Sequence, residues 1–219
     1  MDPVRRPRIK ICCIMSIDEA RLAVAAGASA VGLVGPMPGG PGVIPDAVIA
    51  SIAPEVPPPV ATFLLTSERT AEGIAAHYRR ARTTAVQIVD RPAGDIYAEL
   101  RERLPGVKLV QVIHVTGPAS ADEAASLTGK VDALLLDSGS AESAELGGTG
   151  RRHDWTISRL IRENSPLPVF LAGGLRPGNV REAIDTVGPF ALDVCSGVRT
   201  NGRLDTVKLT AFFTEAGYS

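Results

Sequence analysis

The residues best suited to proton chemistry in this chain stand at the ends of short aliphatic runs. In Lys10-Ile11-Cys12-Cys13, an amine and a thiol are two residues apart. On a strand they share one face, with Ile11 and Cys13 on the other. Leu134-Leu135-Leu136-Asp137 closes a hydrophobic run on a carboxylate, and Asp193 and Cys195 alternate on one face just before Ser196-Gly197. Glycine-bearing segments lie close by: Gly147-Gly148-Thr149-Gly150, Gly173-Gly174 and Ser196-Gly197. Glycine lets backbone N–H groups approach an anion, and a following helix N-terminus adds favourable partial charge. These loops imply a phosphorylated small molecule as ligand.

The elements that must position these groups recur along the whole chain. Aliphatic runs mark strands near Ile9–Cys13, Ala30–Val34, Val60–Leu65, Ala85–Val89, Lys108–Ile113, Asp132–Asp137, Pro168–Ala172 and Phe190–Cys195, with starts 21, 30, 25, 23, 24, 36 and 22 residues apart. Each interval has room for one loop and one helix. Ser16 with Glu19, and Ser120 with Glu123, have the spacing of capping boxes, while Gly27 and Gly188 read as helix stops.

Alternating strands and helices build a parallel sheet with helices outside. Eight such units in 219 residues fit a single (β/α)8 TIM barrel spanning 1–219, with residues 1–8 as a flexible N-terminal extension. An open doubly wound sheet fits less well, because Ile14-Met15-Ser16 follows the first strand where a glycine-rich turn is usual. In a barrel the active site lies at the C-terminal strand ends, and the loops after strands seven and eight cradle phosphate. Strands one and eight are neighbours there, so Lys10 and Asp193 are expected to pair inside, as a structural ion pair.

Composition narrows the function classes. The 219 residues carry 45% hydrophobic and 21% charged side chains, which is ordinary globular composition. A net charge of -1 argues against a basic nucleic-acid surface. Three cysteines without CxxC spacing point to a reduced, cytoplasmic setting, with Cys13 and Cys195 as packing residues. The arginine-rich start lacks a following apolar segment, and no apolar run is long enough to span a membrane. The three histidines are dispersed, so no metal site and no cofactor is expected. His77 falls in a helix read as exposed, whereas His114 ends a strand and is placed to touch ligand.

The ordered set Lys10-Ile11-Cys12, Leu135-Leu136-Asp137-Ser138, Gly147-Gly148-Thr149-Gly150, Asp154-Trp155, Leu171-Ala172-Gly173-Gly174-Leu175 with Pro177 and Asn179-Val180, and Asp193-Val194-Cys195-Ser196-Gly197-Val198 resembles the phosphoribosylanthranilate isomerases of tryptophan biosynthesis, from about Ile9 to Phe213. The resemblance implies an Amadori rearrangement of an N-(5-phosphoribosyl)amine to a 1-amino-1-deoxyribulose 5-phosphate by general acid–base catalysis. It assigns Cys12 as base and Asp137 as acid, with Gly148, Thr149, Gly150, Gly173, Gly174, Ser196 and Gly197 around the phosphate. Lys10, Gln87 and His114 are further candidate contacts. The chemistry requires a thiol pKa held down by positive charge and a carboxyl pKa raised by an apolar setting. The implied partner is the phosphosugar alone, taken up by a monomer or homodimer.

The chain also departs from the family pattern. Cys13 and Met15 stand where glycine and threonine are usual, and Gly40-Pro41-Gly42 replaces the Ser-Pro-Arg whose guanidinium meets the anthranilate carboxylate. Losing such a charge-assisted bond costs about 1.5–3 kcal/mol. Arg91, Arg151 or Arg152 are candidates to replace it. Three readings stay open: this isomerase with a rebuilt aromatic pocket, a paralogue acting on another phosphoribosylated amine, or a barrel that binds a phosphometabolite without turnover.

Overall fold

The computed structural model describes residues 6–138 and 153–218. Eight parallel strands close into a barrel in sequential order. They are β1 (Arg8–Ile11), β2 (Ala30–Val34), β3 (Ala61–Thr66), β4 (Ala85–Ile88), β5 (Lys108–His114), β6 (Ala133–Asp137), β7 (Val169–Leu171) and β8 (Ala191–Val194). Between and after them run α1 (Ile17–Ala25), α2 (Asp46–Ile52), α3 (Ala71–Ala81), α4 (Tyr97–Arg103), α5 (Ala119–Ser126), α6 (Trp155–Asn164), α7 (Val180–Val187) and α8 (Thr206–Glu215). A small antiparallel pair, β9 (Arg199–Thr200) and β10 (Arg203–Leu204), leads into α8.

The two-residue period of a strand divides the core in two. Ile9, Ile11, Val31, Leu33, Leu64, Val86, Ile88, Leu134, Leu136, Leu192 and Val194 face outward into the helix layer. Ala30, Phe63, Leu65, Ala85, Val110, Val112, Ala133, Leu135, Phe170 and Ala191 face inward. Strands covered on both faces therefore read as unbroken apolar runs. Small alanines beside the two phenylalanines let the inner layers interdigitate, so the barrel is filled rather than hollow.

Local signals set most helix boundaries. Ser16 accepts from the Glu19 N–H at 3.2 Å and starts α1. Gly188 ends α7 in the left-handed conformation, at φ 60°. The second capping box does not form: Pro118 precedes α5, and Ser120 lies inside the helix, accepting from the Thr116 N–H at 3.2 Å. Glu123 instead pairs with Arg91 at 2.8 Å. Arg8, expected in the N-terminal extension, instead opens β1, and its N–H donates to the Phe190 carbonyl at 3.1 Å. His77 is buried rather than exposed; its ring bridges Thr66 Oγ1 at 2.8 Å and Asp46 Oδ1 at 2.9 Å, tying α3 to β3 and α2. Among the described residues, no helix is long and apolar enough to cross a membrane.

Candidate active site

At the C-terminal mouth of the barrel, residues of β2–β6 and β8 and of the segments after β1, β2, β4, β7 and β8 line one cavity. Cys12, Gln87, His114, Asp137, Gly173, Gly174, Asp193 and Ser196 all reach it. Leu65, Val89 and Val112 form an apolar floor, and Met37, Gly40 and Pro41 of the loop after β2 form one side. Cys12 and Asp137, 125 positions apart in sequence, therefore share a cavity because both lie on the inward face at the same end of their strands.

Lys10 lies beneath this cavity rather than in its wall. It is fully buried, and its ammonium sits 2.9 Å from Asp193 Oδ2, as neighbouring strand residues in register allow. Breaking such a pair by removing one partner strands a buried charge, at about 3–5 kcal/mol. Gly32 makes room for the assembly. A Cβ there would lie 2.8 Å from Cys12 Sγ and 3.0 Å from Lys10 Nζ.

The electrostatics differ at the two proton-transfer candidates. Burial pushes the Cys12 thiol up to about 11, and Asp193 adds to the shift; the Lys10 ammonium and the Cys13 N–H oppose it without prevailing. The Lys10 ammonium therefore does not by itself hold the thiol down, because a thiolate loses more hydration than Lys10 restores. Burial also raises the Asp137 carboxyl, with Ser138 and His114 opposing and Asp193 reinforcing the rise. Its Oδ1 accepts from the Ser138 N–H at 2.7 Å.

At this mouth three buried acceptor atoms have no partner among the described residues: Gln87 Oε1, His114 Nδ1 and Asp193 Oδ1. The ring of His114 is oriented by Nε2, which lies 3.0 Å from the Val89 carbonyl and donates to it. Buried polar atoms are normally satisfied, so three unpaired acceptors at one mouth suit a ligand rich in O–H and N–H donors. Among the described residues lining the cavity, none is lysine or arginine. Arg91 is held away by Glu123, on the rim of a separate depression. Arg151, Arg152 and the candidates Gly148, Thr149 and Gly150 lie outside the described residues.

Beside this cavity, Gly174, Leu175, Arg176, Pro177, Ser196, Gly197 and Lys208 surround a second concavity. Here the loops after β7 and β8 touch backbone to backbone: a Cβ on Gly197 would lie 1.9 Å from the Leu175 carbonyl oxygen. Gly173, at φ 82°, packs against Ser138: a Cβ there would lie 2.8 Å from Ser138 Oγ and 3.0 Å from its backbone nitrogen. Arg176 and Lys208 bring positive charge to this concavity, and the sequence reading missed both. Arg176 follows the double glycine almost directly, which was the available signal; Lys208, in the first turn of α8, offered none.

The cysteines also differ from expectation. Cys13 and Cys195 are joined by a disulfide, with Cα atoms 5.9 Å apart, and Cys12 is the one free cysteine. The odd cysteine count concealed this pairing, because only the closed barrel brings the end of β1 against the end of β8. Cys13 adopts φ 62°, a left-handed conformation that costs most side chains energy. Gly42 packs directly on it: a Cβ at 42 would lie 2.5 Å from Cys13 Cβ, and φ there is 73°. A side chain on residue 13 and one on residue 42 therefore compete for the same space.

Comparison with known proteins agrees with this geometry. The family model for N-(5′-phosphoribosyl)anthranilate isomerase matches residues 55–215. The isomerase of Methanocella arvoryzae is 36% identical over 208 residues, covering 95% of this chain and 96% of that protein. That of Halobacterium salinarum is 37% identical over 214 residues, covering 95% of each. The crystal structure of the Thermotoga maritima isomerase superposes with a TM-score of 0.82 at 29% identity, over 96% of this chain and 98% of that one. A phosphoribosylanthranilate isomerase in complex with reduced 1-(o-carboxyphenylamino)-1-deoxyribulose 5-phosphate superposes with a TM-score of 0.79 at 28% identity, over 96% and 98%. With a closed eightfold barrel, this site at its mouth and relatives that match along nearly the full length, the chain belongs to the N-(5′-phosphoribosyl)anthranilate isomerase family.

Proposed function

We propose that this enzyme converts N-(5′-phosphoribosyl)anthranilate to 1-(o-carboxyphenylamino)-1-deoxyribulose 5-phosphate, with Asp137 as general acid and Cys12 as general base. The observation that carries the reading is the single cavity in which a carboxyl with a raised pKa faces a free thiol. Asp137 gives its proton to the furanose ring oxygen as the C1–O bond breaks, leaving an iminium at C1. The Cys12 thiolate takes the C2 proton, and the C2–H electron pair forms the enolamine. Ketonisation then moves the O2 proton away and adds one at C1, and the two side chains regain their starting protonation. The iminium adds a positive charge to that of Lys10; beside Cys12 it favours the thiolate. Gln87 Oε1, His114 Nδ1 and Asp193 Oδ1 suit the sugar hydroxyls and the amine N–H.

The phosphate is placed between the loops after β7 and β8, near Gly173, Gly174, Ser196 and Gly197, with Arg176 and Lys208 supplying charge. Gly197→Ala is expected to raise KM at least about tenfold, roughly 1.4 kcal/mol of binding, with kcat changed far less. Steady-state kinetics on the folded variant check this, and an unchanged KM would remove the phosphate from that cradle. The enzyme is placed in the cytoplasm and acts as a monomer or homodimer on a small molecule without nucleic acid.

The test is turnover of freshly generated phosphoribosylanthranilate, followed by loss of substrate fluorescence, together with complementation of a tryptophan auxotroph. Turnover is the expected result. Binding of a reduced, non-reacting analogue without turnover would leave a phosphometabolite-binding barrel in its place.

A further inference from the structure

Behind the thiol lies a buried ion pair that the rearrangement itself does not use. Arg199, at the start of β9, is 8% exposed, and its Nη1 lies 2.9 Å from Glu19 Oε1. Its Nη2 donates to Glu19 Oε2 at 3.0 Å, to the Cys12 carbonyl at 3.3 Å and to the Cys13 carbonyl. Glu19 in turn accepts from the Met15 N–H at 3.0 Å and the Leu204 N–H at 2.9 Å. Although burial alone would raise the Glu19 carboxyl, the Arg199 guanidinium and these N–H groups hold it below the usual carboxylate range, so the pair stays charged.

The peptide joining residues 12 and 13 has two ends. Its carbonyl oxygen accepts from Arg199 Nη2 at 3.3 Å, and its N–H adjoins the Cys12 side chain, where it opposes the upward shift of the thiol. Gripping the oxygen orients the plane and draws electron density from the nitrogen, which makes the N–H a better donor to a thiolate. Cys13 is held on its other side by the disulfide to Cys195 and by Gly42. The left-handed Cys13 backbone is thus fixed from three directions, and each fixes the N–H beside Cys12.

We propose that Arg199, braced by Glu19, is a positioning residue for Cys12: it orients the Cys12–Cys13 peptide so that the Cys13 N–H stabilises the thiolate. This rests on Cys12 being the base only for its consequence in turnover; its effect on the thiol stands independently. The other charged or titratable groups facing Cys12 are Lys10 from β1, Asp193 from β8, and Asp137 and His114 across the mouth from β6 and β5. None of them is altered by substituting Arg199.

The test is the rate of Cys12 alkylation by iodoacetamide without reductant, where Cys12 is the free thiol, measured from neutral pH upward beside steady-state kinetics. For folded Arg199→Met, the pH at which a given alkylation rate is reached is expected to rise by about one unit, a tenfold slower reaction at fixed pH. In step, kcat is expected to fall about tenfold with KM within about threefold. A merely structural role predicts the opposite sign, because loosening the mouth exposes the thiol and speeds its alkylation. Alkylation as fast as wild type, or faster, overturns the proposal. If Arg199→Met does not fold, Arg199→Lys decides, since an ammonium cannot hold both carbonyls and Glu19 as the guanidinium fork does. Slower alkylation is expected there, and a wild-type or faster rate overturns it. Full turnover by Cys12→Ala would remove Cys12 as base without touching the alkylation result, so the two failures are separable.

Discussion

Cys12→Ala is expected to lower kcat by at least about two decades while the protein folds normally, because deprotonation at C2 then has no positioned base. The substitution removes a sulfur from the cavity wall, so packing loss is small beside the catalytic loss. Circular dichroism and binding of a reduced product analogue check the fold, and stopped or continuous fluorescence gives kcat. The pH profile of the parent enzyme carries the same logic. The reacting form needs Cys12 as thiolate and Asp137 as acid, while burial raises both groups, the thiol to about 11 and the carboxyl above its ordinary value. The reacting arrangement is therefore one tautomer of the form holding a single proton between the two groups. That form prevails between the two apparent pKa values. Thus kcat/KM is expected to fall on the acid side as a second proton binds, and to fall again on the alkaline side, toward about 11, as the last proton leaves. A decline beginning at neutral pH would mean that the thiol is not governed by its burial. Near-wild-type turnover in Cys12→Ala would remove it as base.

Asp137→Asn is expected to cost a comparable factor, at least about two decades in kcat, for a different reason. Asparagine keeps the shape, and its oxygen still accepts from the Ser138 N–H, but it has no proton to give to the ring oxygen. KM is expected to stay within a few-fold, since phosphate and sugar contacts remain. The acid limb of the pH profile is expected to disappear, because the group that titrates there is gone. A variant that retains both that limb and its turnover would place the acid elsewhere. His114, paired in register beside Asp137 with an unpartnered Nδ1, is the residue such a result would indicate.

The loop after β2 shows why a local comparison of residues can mislead. An arginine at position 42 looks like a simple restoration of a missing carboxylate contact. Here Gly42 has φ 73° and rests against Cys13 Cβ, and the sulfur of Cys13 is bonded to that of Cys195. The glycine at 42 is what the side chain at 13 requires, and the pair changes together or not at all.

Much of the architecture was legible because it is written in short-range pattern. Strand positions, their spacing and the Ser16 and Gly188 boundaries follow from burial on both strand faces and from local caps. Parallel β/α alternation then puts the ends of β1, β6, β7 and β8 at one mouth, so Cys12, Asp137 and the glycine loops could be brought together on paper. The fold decided what depends on distance through space rather than along the chain. The odd cysteine count gave no hint of the Cys13–Cys195 bond; Ser120 had the spacing of a cap but fell inside its helix; His77 looked exposed until α2 and β3 closed over it. The direction of the Cys12 pKa was likewise a tertiary matter. It is set by how much water the barrel removes from a sulfur and by which of Lys10 and Asp193 stands nearer, and neither quantity exists until the eighth strand closes against the first.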